Sequence, residues 1–151
     1  MKLSPANINR FLLAKLPSAW FCGVRLKSID NKTCTVTVKH RWINQNPFMS
    51  MYFAVQNMAA ELSTGALVMK SIRESQTKVS MLVVNMSSEY YKKATGRITF
   101  TCAEGALVEH TIKNAIRDKE GKTMTLKVHA KNEEGVEVSR FHFTWSVKSK
   151  A

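Results

Sequence analysis

The chain has 151 residues and a mass of 17.1 kDa, with 44% apolar and 23% charged residues. One domain of ordinary size fits that length, and the composition excludes a disordered or low-complexity polypeptide. Lys and Arg number 23 against 11 Asp and Glu, a formal net charge of +12, so an anionic partner is expected.

No apolar run reaches the roughly 18–20 residues of a membrane-spanning helix, because Lys, Arg, Glu or Asn interrupts every candidate. No membrane partner is predicted. The N-terminal stretch is broken by Arg10 and Lys15 before any cleavage site, so no signal peptide and a cytoplasmic location are expected. Cys22, Cys34 and Cys102 are odd in number and far apart, which suits a reducing compartment and gives neither a disulfide framework nor a CxxC site. His40, His110, His129 and His142 form no HxxxH or HExxH pattern, so no metal is predicted. The basic residues are dispersed, Lys92 with Lys93 being the one adjacent pair, and no RNA-recognition motif accompanies them. Nucleic acid is therefore not the expected partner.

In chain order, residues 5–16 place Ile8, Leu12 and Leu16 or Phe11 at helical spacing, behind Ser4 as N-cap and Pro5 in the first turn. The period changes to two over 20–29 and 33–40, where Cys34, Val36 and Val38 alternate with Thr35, Thr37 and Lys39. With Asp30-Asn31-Lys32 between the two runs, a β-hairpin is predicted. A loop over 41–47 leads to the longest apolar segment, 48–69. There Met51, Val55, Met58 and Leu62 recur at i, i+4, i+7 and i+11, the mark of a helix. This helix is apolar nearly all round and must be enclosed by other elements. Asn57, Glu61 and Thr64 share one stripe on it, and buried polar groups of that kind need a partner or a function. Gly65 either ends its best-formed part or admits close packing.

Strands follow over 78–86, 97–102 and 123–131, the last alternating through Met124, Leu126 and Val128. Residues 106–116, with Val108, Ile112 and Ala115 or Ile116 at helical spacing, predict a short surface helix. After the Asn132-Glu133-Glu134-Gly135 turn, Val136 and Val138 lie in one phase and Phe141, Phe143, Trp145 and Val147 in the other. A β-bulge near Ser139 or Arg140 reconciles them. The order predicts a single α+β domain over 1–151, a curved six-stranded antiparallel sheet wrapped around the long helix. That geometry is the hotdog fold.

Asn46-Pro47-Phe48-Met49-Ser50-Met51-Tyr52, followed by Glu61 and Gly65, resembles the signature of hotdog-fold acyl-CoA thioesterases. That family reads N-P-x-G-x-x-H-G-G, then an Asp or Glu nine residues after the His, then a Gly four further on. Asn46, Pro47, Glu61 and Gly65 match without a gap. Met49 stands for the first Gly, Tyr52 for the His, and Phe53 with Ala54 for the Gly pair. The resemblance is nearest to an uncharacterised bacterial branch related to the phenylacetate-pathway thioesterases. It implies hydrolysis of acyl-CoA or acyl-carrier thioesters in a homodimer or tetramer whose sites lie between subunits. It implies no cofactor beyond the coenzyme A of the substrate.

Thioester hydrolysis needs a carboxylate to activate water or attack the carbonyl, and donors for the developing oxyanion. Glu61 is the expected base or nucleophile, Asn46 orients water or substrate, and Tyr52 donates where the family uses imidazole. The backbone N–H of Phe53 or Tyr52 polarises the carbonyl from the helix N-terminus. Asn57 and Thr64 on the stripe, with Lys70, Arg73 and Lys78 beyond it, are the expected substrate-binding residues, as Lys92, Lys93 and Arg97 are further basic candidates. Each also has a structural alternative: a paired interface acid for Glu61, a turn for Asn46, a packed aromatic for Tyr52, helix-stripe partners for Asn57 and Thr64, solubility for the lysines. A non-catalytic hotdog protein binding an acyl group, fatty acid or CoA is the alternative function.

Overall fold

A computed structural model describes residues 3–150. Helix α1, Pro5–Lys15, starts where Ser4 Oγ accepts the Asn7 N–H at 3.3 Å and Pro5 pre-sets the first turn. It buries Ile8 and Leu12. The predicted first strand then begins late. Pro17 opens a second short helix, α2 (Pro17–Phe21), and Gly23 turns the chain at φ +89°. Trp20 therefore lies in a helix, with the Arg25 guanidinium 3.4 Å over its ring.

Strand β1 is confined to Arg25–Ile29 and pairs with β2, Cys34–Lys39. The turn between them is held by Asp30 Oδ1, which accepts the N–H of Lys32 and of Thr33 at 2.7 Å. These two backbone bonds hold the Asp30 carboxyl below the usual range.

The central helix, α3, spans Phe53–Glu74, starting five residues later than the 48–69 segment and ending five later. Residues 46–51 form a closed loop instead of a first turn. Asn46 Oδ1 accepts the N–H of Phe48 (2.9 Å) and Ser50 (3.2 Å), and Met49 adopts φ +61°. Local side-chain bonding has won over the helical period of the Met residues. At the other end Gly65 does not stop the helix, because that position is buried and packing stabilises what propensity does not. Gln76, at φ +54°, ends it.

Strand β3, Val79–Tyr90, outlasts the predicted 78–86 run because it pairs with β6 along its whole length, from Val79↔Ser149 to Tyr90↔Ser139. Strand β4, Arg97–Cys102, coincides with its predicted range. Helix α4 runs Gly105–Asp118, and it is no mere surface helix, since Val108, Thr111, Ile112 and Ala115 are buried. A Cβ on Gly105 would stand 2.0 Å from the Asn31 carbonyl oxygen, so only glycine lets α4 sit on the β1–β2 turn. Strand β5 is Lys122–Lys131 and β6 is Glu137–Ser149. Their register jumps from Lys131↔Glu137 to Ala130↔Ser139, which makes Val138 the bulge residue, beside the predicted place.

The sheet order is β1-β2-β4-β5-β6-β3, with every pairing antiparallel. Helix α3 touches all six strands, and residues 62–68 are buried without interruption. Two full turns are thus enclosed on every side, which requires a sheet that curls around the helix. Phe100 and Phe141, wholly buried beneath it, are each worth about 1.5–3 kcal/mol of burial.

Candidate active site

The enclosure of α3 is incomplete toward its N-terminus. A cleft of about 490 Å³ opens there, lined by the 46–53 loop, Gln56, and the chain from Tyr90 to Ala94. Tyr52 is the N-cap without a capping side chain, and the N–H groups of Phe53 and Ala54 have no acceptor among the described residues. They are the two free donors at the positive end of a 22-residue helix. The Tyr52 N–H is not available, since it donates to Asn44 O at 2.8 Å. Of the two expected carbonyl polarisers, Phe53 keeps its donor and Tyr52 does not.

Asn46 lies on the same cleft, but its amide is spent on its own loop. Besides accepting from Phe48 and Ser50, it donates from Nδ2 to Ser50 Oγ (3.0 Å) and, weakly, to Met51 O (3.4 Å). In this chain it builds the loop that positions Tyr52 and Phe53. The Tyr52 ring is half exposed and packs edge-on against Phe53, whose ring in turn meets Tyr90.

Phe53, Asn57, Glu61 and Gly65 follow one another at i+4, a single stripe leading away from the cleft. Asn57 Nδ2 donates to Phe53 O at 2.8 Å and to the Tyr90 hydroxyl, while its Oδ1 is buried with no partner. Glu61 comes next. Its carboxylate makes no hydrogen bond or ion pair among the described residues, and burial pushes its pKa above the ordinary carboxylate value. Gly65 explains how it fits: a Cβ there would stand 3.2 Å from Glu61 Oε1 and 3.2 Å from the Trp145 ring. Thr64 is a structural member, donating to Glu61 O (2.8 Å) and accepting Trp145 Nε1 (2.8 Å).

Eight residues separate Phe53 from Glu61, about 12 Å along the helix axis. One chain therefore does not bring the free amides and the carboxylate together. The basic candidates are dispersed as well. Lys70 is bound to Glu74 and to Asn31 Oδ1, facing the β1–β2 turn. Arg73 and Lys78 are exposed at the C-terminal end of α3 and just beyond it. None of the three reaches the cleft or the stripe, because they follow the helix toward its negative end. Lys92 and Lys93 do line the cleft.

The structure adds residues that the sequence reading passed over. Gln56, 4% exposed, donates to Met51 O (3.3 Å) and accepts the Ser139 hydroxyl (2.7 Å), fixing the cleft floor to β6. A glutamine in so apolar a segment was its one signal. Tyr90 and Trp145 carried none, since each reads as an ordinary strand aromatic. Among the described residues no group of three His, Cys, Asp or Glu side chains could hold a metal ion, and no helix is long and apolar enough to cross a membrane.

A long helix gripped by all strands of one curled antiparallel sheet defines a hotdog-fold protein. The chain belongs to the family described as a domain of unknown function (DUF4442), whose model matches residues 5–147. No curated protein matches it in sequence. Solved structures are similar in fold. A Pseudomonas aeruginosa protein of unknown function, titled a probable thioesterase, is 19% identical over 97% of each chain, with a TM-score of 0.82. A Haemophilus influenzae thioesterase is 11% identical over 99% of this chain and 93% of its own, at 0.72. A Staphylococcus aureus thioesterase is 13% identical over 92% and 98%, at 0.65. That last protein was solved as a Gln→Ala and as a Glu→Ala variant, at positions fifteen residues apart.

Proposed function

We propose that the protein hydrolyses acyl thioesters, of coenzyme A or an acyl carrier, with Glu61 as the general base or nucleophile. The observation that carries this reading is the Glu61 carboxylate, set without a partner in an apolar surrounding and held above its ordinary pKa. A structural acid would be paired there; an unpaired one costs stability and is suited to taking a proton from water. Water gives its proton to Glu61 and its oxygen to the carbonyl. The thiolate then leaves and recovers the proton, yielding a carboxylic acid and a free thiol. The amides of Phe53 and Ala54 are the donors suited to the oxyanion. The spacing of fifteen between Asn46 and Glu61 equals that of the Gln and Glu altered in the staphylococcal thioesterase.

The 12 Å between amides and carboxylate is bridged in this reading by a homodimer, the amides of one protomer facing the stripe of its partner. Strand β3 is an edge strand of 12 residues with one charged side chain, Glu89, and Leu82, Val84 and Met86 exposed on it. Such an edge is a template for pairing with a second copy. Lys92 and Lys93 at the cleft offer charge for the phosphates of coenzyme A or an acidic carrier.

A second reading rests on Asn46, whose amide is already engaged, and on the Phe53 side chain, 54% exposed at the approach to the amides. It makes the protein a binder of acyl groups or CoA without turnover. Free-thiol release from a panel of acyl-CoAs, compared between the wild type and Glu61→Gln, separates the two. Turnover that disappears in the variant supports hydrolysis; saturable binding with no turnover in either supports the binder.

A further inference from the structure

Glu61 borders two voids that the N-terminal cleft does not include. One, of about 70 Å³, is closed by Ile8 and Phe11 of α1, Met69 of α3, Met81 of β3 and Trp145 of β6. The other, of about 240 Å³, lies between α1 and α3 beside Leu12 and Met58. Leu16, Glu61 and Leu62 line both, so the carboxylate stands at their junction.

In the smaller chamber Glu61 is the one charged side chain among the described lining residues. An apolar void forfeits dispersion contacts, and a carboxylate beside it loses part of its hydration, so this arrangement costs stability. Its walls are nonetheless fixed. Trp145 is locked by its bond to Thr64. The roof is locked by Asn9, whose side chain accepts Leu26 N–H at 2.8 Å and donates to Leu26 O at 3.1 Å, tying α1 to β1. A rigid hydrocarbon cavity opening on a reactive carboxylate fits the hydrocarbon end of the substrate.

We propose that α1 roofs an acyl-chain site. The chain enters past Glu61 between Leu16 and Leu62, and Met81 with Trp145 forms the end wall that limits its length. This rests on the thioesterase reading above. The smaller chamber, with no cation among the described residues of its lining, admits alkyl or other wholly apolar acyl ends and rejects those ending in a carboxylate, while Lys15 lines the larger void at its mouth.

The test uses straight-chain acyl-CoAs of 2 to 16 carbons, succinyl-CoA, and the S-alkyl-CoA thioethers of the same lengths, which bind but cannot be hydrolysed. Met81→Ala should move the preferred length upward, raising kcat/KM about tenfold for chains one or two methylenes beyond the wild-type optimum. Leu16→Ala, at a half-exposed position, should alter the profile without unfolding the protein. Turnover that needs Glu61, with a length profile unchanged in both variants, would overturn the acyl site and leave hydrolysis standing. Thioether binding that follows chain length and shifts in Met81→Ala, without turnover of any thioester, would support the site and overturn hydrolysis. Preference for succinyl-CoA over butyryl-CoA would overturn the site.

Discussion

The two halves of α3 are built to opposite standards. From Ser63 onward its buried polar side chains are bonded and Lys70 is paired: Ser63 Oγ donates to Ala60 O, Thr64 joins Glu61 O to Trp145, and Lys70 joins Glu74 to Asn31. From Phe53 to Glu61, two amides, Asn57 Oδ1 and the Glu61 carboxylate lack partners among the described residues, although Gln56 in the same stretch is engaged. Enclosure by the sheet is the structural task of the second half. Unmet hydrogen-bonding capacity concentrated in the first half is what the proposed thioester site would use.

Substitutions should therefore divide between activity and stability according to the half they touch. The largest effect on activity is expected from Glu61→Gln, a loss of at least about 100-fold in thiol release, with no loss in thermal midpoint. The largest effect on stability lies on the side of the C-terminal half. Gly105→Ala forces a Cβ against the Asn31 carbonyl and should cost several kcal/mol, about 3 or more, in denaturant unfolding. Thr64→Val removes the acceptor for buried Trp145 Nε1 and should cost about 1–3 kcal/mol, leaving kcat nearly unchanged. Gly65→Ala sharpens the boundary. It gains up to about 1 kcal/mol of helix propensity, yet crowds Glu61 Oε1 and Trp145, so kcat should fall while the thermal midpoint barely moves. The smallest effect is Lys70→Met, under about 1 kcal/mol and silent in activity.

The pH dependence of stability follows the same division. The folded state holds Glu61 above its unfolded pKa, so its contribution is most favourable below the ordinary carboxylate range and is lost as pH rises through the raised value. Glu61→Gln should flatten that part of the stability curve, raising the thermal midpoint more at pH 8 than at pH 4. A variant that lowers the midpoint equally at both pH values would show that the carboxylate has a structural partner.

Periodicity made the fold legible wherever tertiary contacts agreed with it. Strand β4 coincides with its alternating run, and the clash of phases in the last strand located a bulge within a residue or two. Boundaries failed where a side chain or a turn overrode the period. The Asn46 loop delayed α3, and Pro17 with Gly23 turned a strand-like run containing Trp20 into a helix. For the site, spacing located the stripe of Glu61 and Gly65 but not its surroundings. That Trp145 faces Glu61 depends on β6 lying between β5 and β3, and that α1 faces it depends on the Asn9 bonds to Leu26 of β1; no local pattern encodes either. Charge alone does not say which surface a basic residue serves: Lys70 faces the β1–β2 turn, and Arg73 and Lys78 lie at and just beyond the C-terminal end of α3.

Among the described residues strand β3 pairs with no strand but β6, and its register with it, Val79↔Ser149 to Tyr90↔Ser139, spans a chain separation of 49 to 70 residues. During synthesis at about 5–20 residues per second, β3 would wait for several seconds before its partner emerges. Throughout that interval Met81, Leu82, Val83, Val84 and Met86 form an uncharged strand with no pairing partner, the kind of segment that self-associates. Yield in a cell should then depend on translation speed and chaperone supply more than on the stability of the finished domain.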